Sequence, residues 1–201
     1  MKLEAIDRRL RRHGAVLVDP RVLRRVLKAH RDIVGLQVPH THCYGLERDA
    51  LLALVSASDL GVAAEELPAE VVLVARPPPA EVSKSREHDL LGRLWRVIFH
   101  GKIHLALERR AREGQLDDTT VRRRIDAIGR VEFDEIRTIL KSDDRVLPPA
   151  DGREHYAEFV ALYLELKHFA PDLLTTTFPG LGDLERVDAV IAIDVDAHAL
   201  L

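Results

Sequence analysis

Between Val97 and Leu107 the chain reads VIFHGKIHLAL, a stretch whose only polar side chains are His100, Lys102 and His104. An α-helix turns by about 100° per residue, so apolar side chains spread this widely wrap nearly its whole circumference. A helix of that kind belongs inside a protein. The flanking residues extend it from His88 to Glu113. His100 and His104, four residues apart, then lie one turn apart on a single face. A pair of interior imidazoles is the first candidate for chemistry.

The rest of the chain provides material for such an interior. Of its 201 residues 46% are hydrophobic and 31% charged, which is globular rather than disordered. The length suffices for one good core, or one core with a small appended subdomain. Aromatic residues are scarce beside Leu, Ala, Arg and Glu, which favours helix. The single cysteine, Cys43, excludes an internal disulfide and fits the reducing cytoplasm. The opening MKLEAIDRRLRRHG lacks the apolar core of a secretion signal. No apolar run approaches the roughly 20 residues of a membrane span. The chain is therefore expected in the cytoplasm, with no membrane partner.

Residues 3–12 predict a short basic helix. Asp19-Pro20 starts a second one, Asp as cap and Pro in the first turn. That helix puts Val22, Leu23, Val26 and Leu27 on one side, with Arg24, Arg25, Lys28 and Arg31 largely opposite. Up to Arg31 there are ten Lys/Arg against three Asp/Glu, a local balance of +7 in a chain whose formal charge is −3. A solvated helix face is the ordinary reading of such a run, and a protein partner docked through these basic helices is the alternative. Nucleic acid is not expected, because no aromatic or Gly-rich element accompanies the charge. Pro39–Tyr44 reads as a loop and Leu46–Ser56 as a helix. His40, His42 and Cys43 lack the separated ligand pair of a local zinc site. The β-branched run EVVLVAR at 70–76 predicts a short strand or an extended connector. Pro77–Pro79 can continue neither helix nor ladder and marks a boundary.

Beyond the central helix, residues 117–142 predict one amphipathic helix with an apolar stripe of Val121, Ile125, Ile128, Ile136 and Ile139. Glu132 and Glu135 fall within that stripe. The next helix, ending at Pro171, carries Glu158 and Glu165 on one face of an otherwise apolar run, with His168 three residues further on. TTTFPGLGD then loops into a last helix from Leu184. That helix reaches Leu201 with no stop signal, which fits either a plain C-terminus or the front part of a longer protein. Asp194 and Asp196 read as its solvated face. The predicted fold is mainly α: a helical bundle over 81–201 and a smaller N-terminal helical region over 1–76, with at most one or two short strands.

Three apolar helices thus offer ionisable groups inward: His100 and His104, Glu132 and Glu135, and Glu158, Glu165 and His168. Helix bundles hold metals with such inward side chains. Glu165-x-x-His168 matches one half of the carboxylate-bridged di-iron pattern, whose second Glu-x-x-His is missing here. A single ion on two His and one or two Glu fits equally, and these donors suit Fe, Mn or Zn. An open position on the ion would serve oxidative or hydrolytic chemistry. Tyr156 and Tyr163 can add hydroxyls. The alternative is a metal-free polar network fixing helix register within a non-catalytic interaction or scaffold domain, with arginines such as Arg93, Arg96 and Arg124 as partners for the carboxylates. No phosphate-binding loop, dinucleotide fingerprint or nucleophile elbow is present.

Overall fold

The computed structural model describes residues 2–33, 42–146 and 150–201. The fold is mainly α, 68% helical, with one small sheet of three strands. The chain divides into two compact units, residues 1–101 and 102–201.

The first unit opens with α1 (Lys2–Arg11), β1 (Ala15–Val18) and α2 (Pro20–His30). Asp19 caps α2 as its sequence promised, its carboxylate accepting the Arg21 N–H at 2.7 Å. The next elements are β2 (Cys43–Glu47), α3 (Arg48–Leu54), α4 (Ala57–Leu60), a 3₁₀ turn at 64–66 and β3 (Glu70–Ala75). The helix expected over 46–56 therefore starts later: Tyr44-Gly45-Leu46 pairs antiparallel to Leu73-Val72-Val71, and helix begins only at Arg48. His40 lies outside the described residues. The sheet order is β1-β3-β2, with β1 parallel to β3.

The central strand β3 is buried on both faces, which is why EVVLVA reads as a continuous apolar run rather than an alternating one. Val71 and Leu73, with Val16 and Val18 beside them, pack with Leu23, Val26, Leu51 and Leu60 from α2, α3 and α4. Val72 points the other way. The Pro77–Pro79 run leads into α5 (Pro79–Lys84), followed by α6 (Glu87–Arg112), the long helix marked by its all-round apolar character. At Gly101 α6 approaches the sheet so closely that a Cβ there would lie 2.6 Å from Val72 Cγ1. The outer edge of β1 is closed by side chains. The Leu17 N–H donates to Asp7 Oδ1 at 3.2 Å, and Arg76 donates to the Leu17 carbonyl at 3.3 Å.

The second unit comprises the C-terminal part of α6 and then α7 (Asp118–Ile128), α8 (Arg130–Ser142), α9 (Gly152–Phe169), α10 (Pro171–Thr177), α11 (Leu184–Ala192) and α12 (Ala197–Leu200). The single helix expected over 117–142 is broken at Gly129, whose φ of 121° lies outside any helix. The break changes the phase. Phe133, Ile136 and Leu140 become the buried stripe of α8, and Glu135 becomes exposed. Pro171 starts α10 where loop was expected. The last helix, expected to be continuous, is interrupted between Ala192 and Ala197.

That second interruption has a physical reason. Asp194, expected on a solvated face, has a side chain with 0% exposure. It accepts two hydrogen bonds from Arg124, at 2.8 and 3.1 Å, and one from the Tyr156 hydroxyl at 2.8 Å; Arg110 lies 3.5 Å away. Around α9, Phe159 meets Phe133, Tyr163 and Phe178 at ring-centroid distances of 5.4 to 5.9 Å.

Two glycines of α6 should respond oppositely to alanine. Nothing lies within 4 Å of a Cβ at position 92, so Gly92→Ala should stabilise by about 0.5–1 kcal/mol through helix propensity. Gly101→Ala forces a methyl against stiff, buried Val72, and overpacking of about 1–3 kcal/mol should outweigh that gain. Urea titrations at constant m-value test the pair. Asp194→Ala leaves the partly buried Arg124 and Arg110 guanidiniums and the buried Tyr156 hydroxyl without their acceptor, and should cost about 2–3 kcal/mol in the same assay.

Candidate metal centre

Helix α6 carries His100 and His104 one turn apart, and α9 carries Glu158. The entry of α9 is fixed by a capping box in which Asp151 accepts the Glu154 N–H at 2.8 Å and Glu154 accepts the Asp151 N–H at 3.2 Å. One ligand atom from each of His100, His104 and Glu158 lies within 4.8 Å of the others. The His104 Nε2 to Glu158 Oε2 distance is 3.1 Å. Donors bound to one ion at about 2.1 Å stand at most about 4.2 Å apart, so only small side-chain rotations separate this arrangement from coordination. These three residues can hold a metal ion.

The environment is partly screened. The Glu158 side chain retains 12% of its exposure and that of His104 33%. Water can still reach the imidazole side.

The other residues singled out by the sequence lie elsewhere. Glu165 is buried at 8% exposure, seven residues along α9 from Glu158. Glu132 bends back over Gly129 at the start of α8, with Arg186 at 3.6 Å. The Glu135 carboxylate covers Gly180, occupying the place a Cβ there would take. His168 stands edge-on to His198 of α12, with 5.8 Å between ring centroids. None of the four belongs to the His/His/Glu group. The tyrosines are core residues, and their hydroxyls donate to Asp194 and to Asp188, the latter at 2.9 Å. Burial, followed for Tyr156 by the adjacent Asp194 charge, pushes both hydroxyls well above the ordinary tyrosine value. Arg93 pairs with Glu81 at 3.1 Å and Arg124 with Asp194, so neither neutralises Glu158.

Sequence reading passed over His155, three residues before Glu158 on α9. It is buried, its Nδ1–H donates to the Asp151 carbonyl at 2.6 Å, and its Nε2 has no hydrogen-bond partner. The i−3 spacing from Glu158 was the available signal. The chain matches no family model, no curated protein and no solved structure.

His168 is held below the ordinary histidine value, first by burial and then by the nearby His198 and Lys167, with Asp188 acting in the opposite sense. The fold therefore favours its neutral form, and on acidification the unfolded chain takes up that proton first. The contribution is complete above the unfolded value of about 6.5 and is lost as pH falls below it. Between about pH 7.5 and 5.5, the wild-type chain should lose more denaturant resistance than His168→Asn does.

Proposed function

We propose that the chain is a metalloenzyme that binds one divalent ion through His100, His104 and Glu158 and uses it to activate water for hydrolysis. The observation that carries this reading is the convergence of three donors from α6 and α9 within 4.8 Å, in a place screened by Glu158's burial yet open to solvent at His104. Two imidazoles and one carboxylate fill three positions of a tetrahedral zinc ion and leave the fourth for water. Zinc in such a set lowers the pKa of bound water to about 7. The same donor set with iron or manganese suits oxidative chemistry instead, so the identity of the ion selects between the two reactions. In either case His100 and His104 act through neutral nitrogens, and Glu158 supplies the negative charge.

A metal-free reading is favoured by one contact, the 3.1 Å approach of His104 to Glu158, which is also what a structural hydrogen bond would give. Elemental analysis of protein purified without a metal-affinity tag separates them. About one zinc, iron or manganese per chain is expected, falling to background in His100→Ala and in Glu158→Gln while the far-ultraviolet circular dichroism stays unchanged. Well-folded protein that takes up no ion even after reconstitution would reduce the three residues to a structural network in a non-catalytic domain.

A further inference from the structure

Helix α2 presents a basic face that the fold leaves outward. At about 100° per residue, Arg21, Arg24, Arg25, Lys28 and Arg31 fall within a sector of roughly 120°, opposite the buried Leu23, Val26 and Leu27. No Asp or Glu interrupts the helix between Pro20 and His30. Arg25 reaches Asp59 of α4 at 2.8 Å. Arg21, Arg24 and Lys28 meet no carboxylate among the described residues, and Arg21 and Arg24 are exposed. Helix α1 adds exposed Arg8 and Arg9, and exposed Arg12 follows its last residue. Its Arg11 donates to the Gly61 carbonyl at 3.2 Å, so α1 and α2 are both tied to the 57–61 segment. Two basic helices thus flank one short stretch of chain within the first unit.

We infer that the outward face of α2 binds the phosphodiester backbone of a nucleic acid through charge alone, without reading its sequence and without the aromatic or Gly-rich elements that base stacking would need and that the sequence lacks there. At about 1.5 Å of rise per residue the four cations of α2 and its C-cap Arg31 extend along some 15 Å. A duplex offers a continuous line of negative charge on that scale, about one per 1.7 Å of its axis. Backbone contacts of this kind need guanidinium and ammonium groups and no apolar anchor. An acidic protein surface would need one, because protein interfaces draw their affinity from buried aromatic or aliphatic residues at their centre. The exposed large apolar side chains among the described residues are Val131, Leu173, Ile193 and Leu201, all in the other unit. An anionic membrane is also a poorer fit. The apolar face of α2 is committed to the protein core and cannot enter a headgroup layer.

The test uses the full chain with a labelled DNA duplex of about 20 base pairs and a single-stranded RNA of about 20 nucleotides, read by fluorescence anisotropy between about 50 and 200 mM salt. Saturable binding to at least one of them is expected, with affinity falling steeply as salt rises. Arg21→Glu/Arg24→Glu/Lys28→Glu should bind at least about ten-fold more weakly, with a log–log salt slope shallower by about 2 to 3. Arg21 and Arg24 are exposed and Lys28 is half-buried, so thermal melting of the variant confirms that it is folded. Absence of saturable binding at the lowest salt would overturn the assignment, as would equal binding by the folded variant. Binding to poly-glutamate or to phosphatidylserine vesicles that neither nucleic acid displaces would also overturn it, and would hand the face to an acidic protein or a membrane.

Discussion

An ionisable side chain removed from water must find its counter-charge inside the fold, and much of this structure is arranged around that requirement. Asp194 satisfies it with two arginines and a tyrosine, and in doing so draws in residues from α6, α7 and α9. Asp188, still partly open to water, pairs with Lys167 at 2.6 Å and accepts from the Tyr163 hydroxyl. Glu158 pairs with His104. At Asp194 hydrogen bonds already surround the carboxylate, and at Asp188 a lysine and a tyrosine already hold it. At Glu158 the neighbours are imidazoles, groups that can exchange a proton for a metal at ordinary pH. That chemical difference makes one of three carboxylate clusters a candidate for function and leaves the others as architecture.

Helix α6 was legible because its apolar character persists over the three turns from Val97 to Leu107, and the shared face of His100 and His104 follows from geometry alone. Glu158 was legible for a similar reason, as one of two carboxylates in an otherwise apolar run. The sequence offered no way to choose between Glu158 and Glu165. That choice depends on which face of α9 meets the histidines, which is a matter of tertiary packing.

The errors have local causes. Projecting residues 117–142 as one helix carried the phase across Gly129, and a single residue at φ 121° was enough to turn Glu135 outward. Asp194 was read as solvated because an aspartate near the end of a helical pattern usually is. Its setting in AVIAIDVDA, between Ile193 and Val195, was the overlooked warning. Strands β1 and β2 are four and five residues long, too short for period-2 alternation to declare itself, and β1 is buried throughout.

The closed edge of β1 also bears on how the protein behaves among its own copies. A sheet normally grows by recruiting another chain to its unpaired backbone groups, the route by which partly unfolded proteins seed aggregates. Here the outward N–H and carbonyl of Leu17 are already taken by Asp7 and Arg76, and Asp7 is itself held by Arg11. A recruited strand would have to expel two charged side chains before forming its first bond. The small sheet is thereby finished on that side, and the polar residues that finish it act as gatekeepers against self-association.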